Sequence, residues 1–226
     1  MRLNSQQLCG KNENHITWLS EQVGIHSDML MAWQSLCDAA STAGFTLKIA
    51  SGFRSFDRQL SIWNRKFNGE LATKNKLNKT VDLTHLSDNE KVAAILVYSA
   101  LPGTSRHHWG TDIDVYAQNL LLENQKLQLE PWEYQQNGPF AALSNWLVQH
   151  ASTYGFFFPY DVDRGGVAIE PWHLSYAPLA QTCLCDMTIE TLAQAIKQSN
   201  VLGKEVILAQ LPTILTQYVQ NINKGS

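Results

Sequence analysis

Long apolar runs are missing. No stretch of the 226-residue chain approaches the roughly 18–20 apolar residues that crossing a bilayer requires, so a membrane-spanning protein is excluded as the expectation. The opening residues, Met1-Arg2-Leu3-Asn4-Ser5-Gln6-Gln7, carry no apolar stretch of the signal-peptide kind. The expected location is therefore the cytoplasm, or the periplasm if a leader has been trimmed. Charge is also sparse: 16% of residues are charged, and the formal net charge is −3. That balance gives no electrostatic pull toward nucleic acid or an anionic membrane. Cysteine is limited to Cys9, Cys37, Cys183 and Cys185, at irregular spacing. A disulfide scaffold is not expected, and the thiols read as reduced packing residues. Cys183-Leu184-Cys185 has no second pair or nearby histidine to complete a zinc knuckle. Repeats and low-complexity tracts are absent too.

What is present is apolar content sufficient for a sizeable core, 44% of the chain. The length fits a single domain. It divides into an N-terminal helical part (1–44), a core (45–180) and a C-terminal helical appendage (181–226). Helical spacing runs over 28–43, and the stretch 45–50 alternates like a strand. Ser51-Gly52-Phe53-Arg54-Ser55 leads into a helix over about 56–67. Ser87-Asp88-Asn89-Glu90 is a capping box that opens another helix. A strand is expected over 111–116, a helix over 140–154 and extended chain over 166–176. Residues 67–85 and 123–138 read as exposed excursions. Helices over 187–198 and 204–219 follow, the second interrupted at Pro212. Strands mixed irregularly with helices favour an α+β class over a doubly wound parallel sheet.

Two segments concentrate metal-ligating types: Ser105-Arg106-His107-His108-Trp109-Gly110-Thr111-Asp112-Ile113-Asp114 and Glu170-Pro171-Trp172-His173. Two imidazoles and one carboxylate suit a catalytic zinc ion with an open fourth position, and His107, Asp114 and His173 would supply them. The site would keep a net charge of about +1, which lowers the pKa of a bound water toward ~7. Glu170, three residues before His173, is placed to accept and return a proton. The H-E-x-x-H helix of many metalloproteases is absent, and Pro171 argues against a helix joining Glu170 to His173. Taken singly, the His-His pair also suits a surface turn, and Glu-Pro-Trp-His a strand end with a packed tryptophan.

Taken together, Ser105-x-His107-x-x-Gly110-x-x-x-Asp114 and Glu170-x-Trp172-His173, preceded by Ser51-Gly52-Phe53-Arg54-Ser55 and Gln59, resemble the VanY-like zinc peptidases of the D-alanyl-D-alanine carboxypeptidase family. The three motifs fall in the family's order over residues 45–180. The resemblance implies a hedgehog/DD-peptidase-like fold with a small, mostly antiparallel sheet flanked by helices. It implies one Zn²⁺ per chain held by His107, Asp114 and His173. Glu170 is implied as catalytic base, and Arg54 as the cation that meets the substrate carbonyl or developing oxyanion. The expected partner is a muropeptide or peptidoglycan stem peptide, cut by a D-alanyl-D-alanine carboxypeptidase-like reaction. L,D-carboxypeptidase, dipeptidase and endopeptidase action remain alternatives, as does a non-catalytic metal-binding module.

Ser105 reads as a substrate-side serine or a turn cap, and Gln59 as a residue lining the site or a polar residue on a helix surface. Trp172 packs around the site or forms a positioning wall. His108 reads as a wall or surface residue rather than a ligand. Asp112 stands where the family usually has a small residue. On a strand it shares a face with Asp114, as a partner behind a ligand, a substrate contact or a competing ligand. Ser175 stands where relatives often carry arginine.

Overall fold

The computed structural model describes residues 2–225. Asn4 caps the first helical turn, α1 (Ser5–Leu8), by accepting from the N–H groups of Gln6 and Gln7. A hairpin follows, β1 (Ile16–Trp18) and β2 (Gly24–His26), where only helix was expected. Three-residue strands are too short to print an alternation. The expected helix over 28–43 is α2 (Leu30–Thr42), entered through a 3₁₀ turn. β3 (Leu47–Ser51) leads through the Gly52-Phe53-Arg54 turn to α3 (Phe56–Phe67), capped by the Ser55 hydroxyl.

The stretch read as an exposed loop over 67–85 contains a second small hairpin, β4 (Thr73–Lys74) with β5 (Thr80–Val81). Its Lys/Asn-rich composition hid two-residue strands. The capping box at Ser87 opens α4 (Asp88–Leu96) as expected. A 3₁₀ turn, Arg106–Trp109, then delivers the chain to β6 (Asp112–Ala117).

The second supposed excursion is anchored to the core. Its short helix α5 (Pro131–Tyr134) buries Tyr134, whose hydroxyl donates to Val115 O at 2.7 Å. Buried Glu133 accepts from the N–H groups of Gln128 and Glu130. α6 (Ala141–His150) continues as a 3₁₀ turn through Tyr154. Then come β7 (Phe156–Phe157) and β8 (His173–Tyr176), the latter being all the strand found in the stretch expected to be extended. Three helices close the chain: α7 (Ala177–Asp186), which the sequence reading did not place, α8 (Ile189–Lys197) and α9 (Lys204–Ile214). Pro212 lies inside α9 without ending it, and the helix widens into a π turn over Leu215–Val219.

The central sheet is antiparallel throughout, in the order β3-β6-β8-β7. Period-two alternation assigns its faces. Ile113, Val115 and Leu174 point to a core shared with Trp33 and Leu36 of α2 and Leu143 and Leu147 of α6. Asp112, Asp114, His173 and Ser175 occupy the other face. The register lines up Ser51, Asp114 and His173 across three strands, with an irregularity between Ile49 and Ser51.

A second core lies beyond that face. Fully buried Trp63 and Trp109 pack there with Val92 and Ile95 of α4 and with Leu192, Ile196, Ile207 and Leu211 of the C-terminal helices. Burial of each such side chain contributes roughly 1.5–3 kcal/mol. Trp63 Nε1–H also donates to Leu202 O, and Trp109 Nε1–H to Leu8 O. The C-terminal helices thus hold the floor under the Arg106–Trp109 turn. The polar face of the sheet and that turn meet along the seam between the two cores.

Candidate metal centre

His107 comes from the 3₁₀ turn, Asp114 from β6 and His173 from the first position of β8, directly opposite Asp114. All three are buried, and one donor atom from each lies within 4.8 Å of the others. His107 Nε2 is 3.4 Å from Asp114 Oδ2, and His173 Nδ1 is 3.1 Å from Asp114 Oδ1. Ligands on a tetrahedral zinc with ~2.0–2.1 Å bonds stand roughly 3.3 Å apart, which is the spacing of Asp114 from each of the two imidazoles.

The second nitrogen of each imidazole fixes its tautomer. His107 Nδ1 lies 2.9 Å from the carbonyl of Gly52, which can only accept, so Nδ1 carries the proton and Nε2 presents a lone pair. His173 Nε2 lies 3.0 Å from Asp112 Oδ1, so Nε2 keeps its proton, and Nδ1, facing Asp114, is the atom that would give its place to a bound cation. Asp114 Oδ1 and His173 Nδ1 are buried and make no hydrogen bond. Two buried donor atoms left without hydrogen bonds at one point are what a bound cation would satisfy, so these residues fit a divalent metal.

The electrostatics agree. Burial opposes the charge on Asp114, yet His107 and His173 hold its carboxyl far below the usual range. Burial alone would lower the His173 imidazole. The surrounding Asp112, Asp114 and Glu170 reverse the sign and carry it well above the ordinary histidine value. The pocket calls for positive charge.

Two glycines of the motifs have steric reasons. A Cβ on Gly52 would stand 2.3 Å from Gly24 O, which accepts from Phe53 N–H at 2.6 Å. Gly110 ends the 3₁₀ turn at φ +69°, and a Cβ there would meet Ile16 Cδ1 at 2.4 Å and His26 N at 2.8 Å. The unforeseen hairpin β1–β2 therefore braces both the arginine turn and the histidine turn.

Glu170 reaches His173 through a turn rather than a helix. His173 N–H donates to Glu170 O at 3.1 Å, with Pro171 at the second position of the four-residue turn. Glu170 Oε2 lies 3.4 Å from His173 Nδ1. Arg54 is half-buried, donating to Gln59 Oε1 at 3.0 Å and to Ser51 Oγ at 2.9 Å. Burial pulls its guanidinium down, opposed by Asp114 and Glu170 across the cleft. The cleft has a volume of about 330 Å³, and its lining includes Arg54, Ser105, His107, Asp114, Glu170, Trp172 and His173.

Gln59 and Asp112 lie behind the cleft rather than on it, Asp112 in the first of the three roles left open for it, as a partner behind a ligand. Gln59 is fully buried behind Arg54, with its Nε2 donating to Ala100 O at 2.6 Å. Asp112 is also fully buried. It accepts from Arg106 Nε at 2.7 Å, His173 Nε2 at 3.0 Å and Thr111 Oγ1 at 2.7 Å. Both its oxygens are engaged and it is sealed from the cleft, so it orients His173 rather than meeting a ligand. Arg106 extends that support to Ser175 Oγ at 2.6 Å.

His108 is neither surface nor wall. It is fully buried, accepting at Nε2 from Gly103 N–H and donating from Nδ1 to Arg54 O. Burial pushes its imidazole down to about 3, so it is a neutral strut joining the two motifs. Ser105 makes no capping bond and faces the cleft. Tyr160 and Lys66 escaped the sequence reading. The Tyr160 ring stands edge-on to His173 at 4.9 Å between centroids, in a segment with no motif. Lys66 lies seven residues after Gln59 on α3, a spacing that shares a helix face and is readable in principle.

The sequence model of the VanY family, described as D-alanyl-D-alanine carboxypeptidase, matches residues 22–179. An uncharacterized Haemophilus influenzae protein is 39% identical over 121 residues, covering 53% of this chain and 92% of that one. A D-alanyl-D-alanine carboxypeptidase of Enterococcus faecalis is 27% identical over 146 residues, covering 63% of this chain and 44% of that protein. Two solved structures share the fold, each at a TM-score of 0.53. One is a VanY D,D-pentapeptidase variant from a VanB-type resistance cassette in complex with Zn(II), 21% identical, covering 87% of this chain and 92% of that one. The other is VanYB in complex with D-alanine-D-alanine, 22% identical, covering 85% and 87%. No described helix is long and apolar enough to cross a membrane.

Proposed function

This chain belongs to the VanY family of D-alanyl-D-alanine carboxypeptidases, and on that premise we propose that it is a zinc-dependent carboxypeptidase acting on D-amino-acid-containing peptidoglycan peptides. The observation that carries the reading is the pair of unpartnered donors, Asp114 Oδ1 and His173 Nδ1, converging with His107 Nε2 beside Glu170. His107, Asp114 and His173 would hold the ion, which when bound supplies Lewis-acid polarisation of a carbonyl and of a water. Glu170 takes the proton of the attacking water and hands it to the leaving amine. Arg54, steadied by Gln59 and Ser51, faces the developing oxyanion with a planar, permanent charge. Asp112 keeps His173 in its tautomer, and Ser105 and Trp172 shape the wall against which the peptide lies. The C-terminal helices share a core with the ligand-bearing turn and belong to the same domain in this reading.

The test is elemental analysis of protein purified without tag or chelator, paired with a screen of peptides ending in D-alanine. Wild type is expected to carry about one zinc per chain and to release D-alanine. His173→Ala loses both metal and activity. Glu170→Ala keeps the metal and loses at least about 100-fold in rate, the lower end of what a general base contributes. Full turnover by Glu170→Ala would remove the proposed base. Tightly bound zinc with no hydrolysis of any peptide would favour a binding module instead.

A further inference from the structure

Four cations face the cleft: Arg54, Lys66, Lys74 and Arg106. Two have carboxylate partners, Arg106 with Asp112 and Lys74 with Glu130. The other two are held by neutral groups. Arg54 has Gln59 and Ser51, and Lys66 Nζ donates to Ser99 Oγ at 2.7 Å. Among the described residues no carboxylate stands at ion-pair distance from either. Lys66 is half-buried, and an ammonium drawn out of water without a counter-charge is costly unless something else supplies one.

Its position says what that something is. Lys66 follows Gln59, the residue that steadies Arg54, by two turns on the same face of α3, ~10 Å of helix axis. It stands near enough to Glu170 and Arg54 for both charges to act on it, and burial lowers its own affinity for a proton. A peptide whose scissile carbonyl lies at Arg54 and Glu170 ends one residue further along, within ~3.6 Å of extended chain. The flexible four-carbon stem of lysine spans the remainder.

We propose that Lys66 is the carboxylate anchor of the cleft, its ammonium receiving the free C-terminal carboxylate of the residue to be released. This rests on the peptidase reading above and goes past it. It makes the enzyme an exopeptidase by charge, because an amidated or continuing chain leaves the ammonium unpaired. Ser99 is its positioning residue, its hydroxyl accepting from the lysine ammonium.

The experiment measures calorimetric binding of a short peptide ending in D-Ala-D-Ala, as free acid and as C-terminal amide, to zinc-loaded Glu170→Ala protein. Wild-type hydrolysis of both peptides is followed in parallel. The free acid is expected to bind roughly 10- to 100-fold tighter than the amide, the range for a hydrogen bond to a charged group. Adding Lys66→Gln collapses that ratio to within about threefold by weakening the acid alone, whereas Lys66→Arg keeps most of it. Ser99→Ala, with the lysine present but untethered, lowers the ratio by an intermediate factor. Zinc content and circular dichroism monitor folding. Should Lys66→Gln fail to fold, the Ser99→Ala ratio carries the test. An unchanged ratio in a folded variant overturns the anchor while leaving the peptidase reading intact. A wild type that neither binds nor cleaves either peptide overturns both.

Discussion

Changing Asp112 to asparagine separates two jobs that this one carboxylate performs. It pairs with Arg106 at 2.7 Å, with both side chains buried, and it accepts the Nε2 proton of His173. The guanidinium is further held by Ser175 Oγ and lies over the Trp109 ring at 4.8 Å, but Nη1 has no partner. Without Asp112 the arginine keeps its charge and loses the one carboxylate that pairs with it among the described residues. Breaking a buried pair from one side costs about 3–5 kcal/mol. For a chain of this size 1 kcal/mol is worth about 2–4 °C, so the metal-free melting temperature should fall by roughly 6–20 °C. Loss of the group that orients a metal-bound imidazole independently weakens zinc about 10- to 100-fold.

The assay is a thermal melt in excess chelator, with zinc affinity measured by competition against a chromophoric chelator. The double variant Asp112→Leu with Arg106→Met removes both charges. It should recover most of the melting temperature while zinc affinity stays low, because His173 Nε2–H is still without its acceptor. A single variant melting within about 2 °C of wild type would refute the energetic argument. A double variant that regained stability and affinity together would refute the division of labour.

Two further outcomes are expected. Gly110→Ala places a side chain on a left-handed backbone, which costs about 1–2 kcal/mol before its collision with Ile16 and His26 is counted. Urea denaturation should show at least that loss together with reduced zinc content, and wild-type values would contradict the brace assigned to β1–β2. Among the four thiols only Cys185 is exposed, while burial pushes Cys9 and Cys37 up to about 11 and Cys183 up to about 12. Ellman's reagent at pH 8 should therefore titrate one thiol rapidly and the rest only in denaturant, and two or more fast thiols would contradict this burial pattern.

The metal cluster was legible because its chemistry is written in residue type and its geometry in strand periodicity. Asp112 and Asp114, two apart on β6, share a face, and their strand partners Ser175 and His173 lie opposite them. The family resemblance supplied Arg54, whose setting no local pattern announces. The roles of Gln59, Asp112 and His108 were less accessible. Each is a polar residue that the fold buries completely, and its burial depends on partners 41 to 61 residues away in the chain. Glu133 was read as part of a surface excursion for a different reason: its donors, the N–H groups of Gln128 and Glu130, are local, but nothing in the polar segment announces that the loop folds back onto the core. The hairpins β1–β2 and β4–β5 escaped because two- and three-residue strands carry too little periodicity to register.

The family match ends at residue 179, inside α7 and before α8 and α9 begin. Yet Leu192, Ile196, Ile207 and Leu211, all beyond that border, share one apolar core with Trp63 and Trp109, and Trp63 Nε1–H donates to Leu202 O. A fragment trimmed to the family boundary would lose the apolar residues that α8 and α9 add to the core of Trp63 and Trp109, and with them the Leu202 carbonyl that accepts from Trp63. The core beneath the histidine turn is therefore built partly from sequence that lies outside the recognisable signature.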